Sequence, residues 1–204
     1  MTYQAVIFDF GGVLVRTFDH SGRRRWEQRL GLPPGGAEQL VFASMQARQA
    51  TAGGAPASAI WEHVAQTLGL DAAQLQQFRH DFWAGDRLDT ELVDYLRRLR
   101  PTYKTAILSN AWSNGRRVIA QDYGLGDAVD EIIVSADEGV AKPDARLYAA
   151  AVQRLGVPAA AAIMVDDFVD NVNGAVAAGL TGVLFSNTAQ VMADLNALLN
   201  PAHF

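Results

Sequence analysis

Four short and almost wholly apolar runs, each closed at once by a polar residue, constrain this chain more than any other feature. Ala5-Val6-Ile7-Phe8 ends in Asp9, and Thr105-Ala106-Ile107-Leu108 ends in Ser109-Asn110. Ile132-Ile133-Val134 ends in Ser135, and Ala161 to Val165 ends in Asp166-Asp167. Runs this short, without polar alternation, read as strands buried on both faces, as in a parallel sheet covered by helices. In such open α/β sheets the chemistry gathers beyond the carboxyl ends of the strands. Asp9 occupies that place, with the glycine turn Gly11-Gly12 behind it. A carboxylate held there needs a countercharge, because burying it alone is costly.

The segments between these runs read as helices. From Asp89 onward strand and helix alternate. Helices are expected over Thr90–Leu99, Val118–Tyr123, Asp144–Leu155, Val169–Ala178 and 188–199, with a further strand at Gly182–Phe185. Right-handed crossovers would bring the polar strand ends to one edge of the sheet. The stretch from about Arg16 to Asp86 has a different texture. It reads as helices only: one ending at Gly31, one over 38–50, one from Ser58 to Gly69 and one capped by Asp71. No strand pattern intrudes there. The expectation is a Rossmann-like α/β fold, with a mainly parallel sheet and helices on both faces. The core is expected to span 1–15 and 89–204, and a small all-helical cap is expected to be inserted at 16–88. Trp26, Trp61, Phe78 and Trp83 fall on apolar helix stripes and are expected in the cap's own core.

Composition excludes several classes of function. A chain of 204 residues with a net charge of −5 offers no broad basic face, so nucleic acid is not an expected partner. Arg23-Arg24-Arg25 is too short a run to change that. The absence of cysteine removes disulfides, thiolate catalysis and thiolate zinc sites. No stretch approaches the roughly 20 apolar residues that cross a bilayer. The expectation is a cytoplasmic protein that does not engage membranes, as a monomer or homodimer.

Four pieces carry the chemistry. They are Asp9 in Phe8-Asp9-Phe10-Gly11-Gly12-Val13, Ser109-Asn110 after a strand, Lys142-Pro143 before a helix, and Asp166-Asp167 with Asn171 after a strand. Each is weak alone. In order and spacing the set resembles the haloacid dehalogenase superfamily of hydrolases, in the members with a helical cap inserted after the first motif. The resemblance covers nearly the whole chain.

That resemblance implies a phosphatase using Asp9 as nucleophile, through an aspartyl-phosphate that water then hydrolyses. Lys142, Ser109 and Asn110 would bind phosphate, with Lys142 also pairing with Asp9. Asp9 and Asp167 would hold Mg2+ directly, Asp166 directly or through water, and the Gly11 carbonyl would be a further ligand. A hard cation of this kind prefers oxygen donors and offsets charge gathering during phosphoryl transfer. Asn171 is open between orienting the acid pair and lying on an exposed helix face. The expected partner is a small phosphorylated metabolite, a sugar phosphate being one.

The chain departs from the common phosphatase pattern at Gly11, where a second Asp normally donates and accepts the proton. Asp19, His20, His63 or a water are the candidate replacements, or the leaving group needs little acid help. Two rival readings remain. One is a 2-haloacid dehalogenase, in which Asp9 attacks carbon without a metal. The other is a catalytically weak binding protein that keeps the fold.

Overall fold

The computed structural model of the protein describes residues 2–199. Residue 1 and residues 200–204, the extreme ends of the expected core segments 1–15 and 89–204, lie outside the described residues. The chain opens with strand β1 (Ala5–Phe8) and a short strand β2 (Val15–Thr17). Five helices follow: α1 (Ser21–Leu30), α2 (Gly36–Phe42), α3 (Met45–Thr51), α4 (Ser58–Leu68) and α5 (Ala72–Trp83). Strand β3 (Asp86–Leu88) leads into α6 (Thr90–Leu99), β4 (Lys104–Ser109) and α7 (Gly115–Arg117), which continues as a π-helical turn over Val118–Asp122. Then come β5 (Glu131–Val134), α8 (Ser135–Glu138), α9 (Ala145–Leu155), β6 (Ala162–Asp166), α10 (Val169–Ala177), β7 (Thr181–Leu184) and α11 (Thr188–Leu199).

The main sheet is five-stranded and parallel, in the order β5-β4-β1-β6-β7. β1 lies at its centre, with Ile7 level with Ala106 on one side and Met164 on the other. Strand side chains alternate between faces, and the two hydrophobic clusters follow that rule. Val6, Phe8, Ile107, Ile163 and Val165 meet Leu92 and Leu96 of α6 and Val191 and Leu195 of α11 on one face. Ala5, Ile7, Leu108 and Met164 meet Leu147 and Tyr148 of α9 and Ala175 of α10 on the other. The wholly apolar runs are explained by this: each strand is covered twice. Among the described residues no helix is long and apolar enough to cross a membrane.

Helices α1 to α5 build separate apolar clusters, one around Trp26, Trp61, Phe78 and Phe82 and one around Ala47, Ala50 and Ile60. Their ends follow local rules. Gly31 and Gly69 adopt left-handed conformations that stop α1 and α4, and Asp71 with Gln74 forms a capping box at α5.

Four expectations about this region and the next are corrected. The segment is not wholly helical, because β2 and β3 pair antiparallel at its two ends, Thr17 opposite Asp86 and Val15 opposite Leu88. Three-residue strands carry no readable alternation, and this pair is held instead by the Thr17 hydroxyl donating to Asp86 at 2.6 Å. The expected helix over 38–50 is two helices, because Ser44 turns the chain and accepts the Ala47 N–H as an N-cap. Trp83 is not core but 37% exposed. The helix expected over Val118–Tyr123 has π-type turns, closed by Tyr123 N–H donating to the Val118 carbonyl.

Candidate active site

The site is assembled at the carboxyl end of the central strand. Asp9 continues β1 by donating its N–H to the Val165 carbonyl at 2.8 Å. The chain then folds back. Val15 N–H donates to the Phe10 carbonyl and Gly12 N–H to the Val15 carbonyl, which leaves Gly11 at an exposed turn. Asp9 Oδ1 accepts the Phe10 N–H at 2.7 Å and lies 2.8 Å from Lys142 Nζ. The same ammonium donates to Asp166 Oδ2 at 2.6 Å. The Lys142 side chain is fully buried, and so is that of Asp166. One buried cation thus answers two carboxylates.

Asp166 is saturated. Its Oδ1 accepts the Phe168 N–H at 2.9 Å and the Asn171 amide at 3.0 Å, while Oδ2 holds the lysine. Asn171 therefore faces the acid pair. Its own carbonyl accepts the hydroxyl of the fully buried Tyr148 at 2.7 Å. Tyr148 was not among the candidates; on α9 it reads as an ordinary apolar-stripe residue. Its phenol is pushed up by burial first, then by the charges of Asp166 and Asp9, so it stays a neutral donor.

Asp167 is the opposite case. Its Oδ1 is buried with no hydrogen-bond partner. Its carboxyl is pushed up, by burial first and then by the Asp166 charge. The carboxylate lies directly against Gly12, where a Cβ would fall 2.2 Å from Asp167 Oδ2, and Gly12 has φ +87°. Only glycine permits both the turn and that approach. Asp9, Asp166 and Asp167 each offer an oxygen within 4.8 Å of the others. An orphaned buried carboxylate oxygen beside two more carboxylates fits a hard divalent cation, because such a cation supplies the missing partner and prefers oxygen donors.

Asp9 is itself pushed up to about 7, burial outweighing the opposing pull of Lys142, with Asp166 adding to the rise. A cation beside it would shift that balance toward the ionised form.

Ser109 closes β4, the neighbour of β1, and is buried. Asn110 meets the backbone of Lys142. Its Oδ1 accepts the Lys142 N–H at 2.8 Å and its Nδ2 donates to the Lys142 carbonyl at 3.0 Å. The carboxamide thus clamps the lysine backbone with its oxygen and one Nδ2 hydrogen, and its second Nδ2 hydrogen is not used in this pair. Ser135 braces the same loop, with its hydroxyl against the Ala111 N–H and carbonyl. Gly174 of α10 lets that helix close on the lysine segment, since a Cβ there would lie 2.6 Å from Pro143 Cβ.

The candidates for the missing acid have the following surroundings. Asp19 accepts the Ser21 N–H and hydroxyl, which hold its carboxyl below the usual range and make it a poor proton donor. His20 Nδ1 is 3.5 Å from Glu38. His63 is a half-buried residue of α4. Arg16 pairs with Asp89 and Thr188, and Arg23 is a buried brace to Glu38, Asp86 and the Phe82 carbonyl. A Cβ at Gly11 would meet nothing within 4 Å, so the turn has room for a side chain the chain does not supply.

Similar proteins share this arrangement of chain. Over 96 residues the chain is 34% identical to "Phosphatase MT3486" of Mycobacterium tuberculosis (strain CDC 1551 / Oshkosh), which is 45% of this chain and 44% of that protein, under half its length. It is 24% identical to "Sesquiterpene phosphatase astK" of Aspergillus oryzae, with 97% of each chain covered. Among solved structures, a predicted HAD-like family hydrolase from Porphyromonas gingivalis superposes with a TM-score of 0.78 at 19% identity, covering 98% of this chain and 99% of that one. The HAD family enzyme bt-2542 of Bacteroides thetaiotaomicron, in complex with magnesium and inorganic phosphate, gives 0.75 at 16% identity, covering 93% and 98%. L-2-haloacid dehalogenase from Xanthobacter autotrophicus gives 0.66 at 25% identity, covering 98% and 84%. Residues 3–179 match the family described as haloacid dehalogenase-like hydrolase. The fold, the strand-end position of Asp9 and this match lead to one conclusion: the chain belongs to the haloacid dehalogenase-like hydrolases.

Proposed function

We propose that the protein is a magnesium-dependent phosphatase that hydrolyses a small phosphorylated metabolite through an aspartyl-phosphate at Asp9. The observation that carries this reading is the orphaned buried oxygen of Asp167 beside the paired Asp9 and Asp166. Asp9 and Asp167 would hold the cation, with Asp166 close by and the Gly11 carbonyl as a further ligand. When bound, the cation would neutralise charge on the phosphoryl oxygens.

The chain's own residues do the rest. Lys142 and the Phe10 N–H fix Asp9 Oδ1 and orient the carboxylate. One Asp9 oxygen attacks phosphorus as the bond to the leaving oxygen breaks. The leaving oxygen takes its proton from water, since Gly11 has none to give. A water then attacks the aspartyl-phosphate, releasing inorganic phosphate and restoring Asp9. Ser109 and Asn110 would offer donors to the phosphate, while the Asn110 carboxamide also holds the Lys142 backbone.

The core would comprise 1–15 and 89–204, and residues 16–88 would form a cap that excludes water. The two phosphatase-named relatives support a phosphorylated substrate. We take the protein to act in the cytoplasm, as monomer or homodimer, without nucleic acid or membrane.

The dehalogenase likeness supports a second reading, attack of Asp9 on carbon. That chemistry leaves Asp167 unanswered beside an anionic substrate, which favours the phosphatase. The test is hydrolysis of phenyl phosphate and of 2-chloropropionate by the wild type and Asp9→Asn, with and without Mg2+. Magnesium-dependent phosphate release that Asp9→Asn abolishes, by at least about a thousandfold, is expected. Chloride release without metal would replace the phosphatase reading with the other.

A further inference from the structure

The loop that leaves the strand end at Ser109 carries a ring that the chemistry above does not use. Trp112 lies on the loop that begins at Ser109, three residues further on, so its Cα lies within about 11 Å of that of Ser109. The loop is pinned at both Asn110 and Ala111, by the Lys142 backbone and the Ser135 hydroxyl. Trp112 is set among rings of the five-helix segment: Trp61 at 6.0 Å, Phe42 at 6.2 Å and Trp83 at 6.3 Å between centroids. Phe42 in turn stands 5.5 Å from Phe82 and 5.7 Å from Trp83.

This cluster is not a finished core. Phe42 is 48% exposed, and Met45, at the start of the next helix, is 65% exposed. Rings locked against one another while presenting that much apolar surface are pre-organised for a ligand, because nothing must be ordered when one arrives. The helical segment also meets the sheet edge close by. A Cβ at Gly53, just after α3, would lie 2.4 Å from the carbonyl of Ala136 in α8, the helix that follows β5.

The chemistry of the wall is one-sided. Phe42 and Met45 bring no polar hydrogen, and Trp83 and Trp112 bring only an indole N–H each. Two indole donors are fewer than the hydroxyls of a sugar need, whereas an alkyl group needs none and gains from the exposed Phe42 and Met45 surface.

We infer that Phe42, Trp83 and Trp112 form the leaving-group subsite of this active centre, and that the substrate is a phosphomonoester of an apolar alcohol rather than of a sugar. The proposal rests on the phosphatase reading for its phosphate end only. The apolar end is a statement about binding.

The experiment measures kcat/KM with Mg2+ for methyl, butyl, hexyl and octyl phosphate and for glucose 6-phosphate. Each added methylene should raise kcat/KM by about twofold to fourfold until the wall is covered, and glucose 6-phosphate should fall below hexyl phosphate. Phe42→Ala, and separately Trp83→Leu, should flatten the chain-length slope while the melting profile stays cooperative. A second arm needs no turnover. Tryptophan fluorescence of the protein with Mg2+ is titrated with hexylphosphonate and methylphosphonate, which have no ester bond to hydrolyse, and only the former should shift it. A response to hexylphosphonate without hydrolysis of any phosphate would leave the subsite standing and remove the phosphatase reading. Hydrolysis with no dependence on chain length, and no selective fluorescence change, would remove the subsite and leave the phosphatase. A solution dimer that Phe42→Ser dissociates would assign the wall to a second copy and overturn the proposal.

Discussion

The acid–lysine site and the aromatic wall beside it obey opposite rules. In the first, nearly every polar atom is answered: Lys142 by Asp9 and Asp166, Asp166 by Phe168 and Asn171, Asn171 by Tyr148. In the second, apolar rings pack mainly on each other, with Phe42 48% and Trp83 37% exposed. Among the described residues the site has one buried atom without a partner, the carboxyl oxygen Oδ1 of Asp167. The wall's unanswered surface is apolar. Charge buried in low dielectric demands a partner within bonding distance, whereas exposed apolar area accepts any covering surface. Affinity for a cation belongs to the first region, and choice among leaving groups to the second.

The contrast can be broken most forcefully at Lys142. Lys142→Met leaves two buried carboxylates without their cation and should cost about 3–5 kcal/mol of stability, read as a lowered midpoint in urea. An unchanged midpoint would mean the ion network is dispensable. Asp167→Ala should act with the opposite sign. It removes a desolvated, unpartnered carboxylate, so the metal-free protein should gain up to about 1–3 kcal/mol while Mg2+ no longer raises its melting temperature. Destabilisation with a retained magnesium response would show that Asp167 is answered in some other way.

A pH series sharpens the same point. In the metal-free protein burial holds Asp9 up to about 7, above its unfolded value of 3.8, so the folded state keeps a proton that the unfolded chain gives up. That contribution to stability is full below the unfolded value and is lost as pH rises through the folded one. A cation competes with the proton, so the melting shift produced by Mg2+ should be larger at about pH 8 than at about pH 5.5. Equal shifts at both would uncouple Asp9 from the metal. The smallest effect belongs to the wall. Phe42→Ala should change stability by no more than about 1 kcal/mol, because half the ring is already in water. A larger loss would make the wall structural rather than a binding surface.

Much of this molecule was legible along the chain. The apolar runs are the strands, and all four motifs fall at strand ends or helix starts as their order implied. The helix stops at Gly31 and Gly69 and the cap at Asp71 are local chemistry, and the structure has them. The two-stranded ribbon was hidden for a physical reason. Its pairs, including Arg16 opposite Arg87, carry no alternation, and it joins residues such as Thr17 and Asp86 that lie 69 apart in the chain. The commitment of Asn110 to the Lys142 backbone was also unreadable, since residues 32 apart meet only after the sheet forms.

The place of Lys142 at the site was implied only by the family resemblance; by itself, then, the sequence determined which residues lie on buried strands, where the helices end and which acids and hydroxyl close strands at one sheet edge. Those follow from hydrophobic period and turn chemistry, which act within a few residues. Tertiary structure alone decided how the partners divide. It spent Asp166 on Lys142, left Asp167 bare against Gly12, and turned Trp112 toward Phe42 and Trp83. The reason is that hydrogen-bond satisfaction and exposure depend on distances between segments far apart in the chain, which no local pattern encodes.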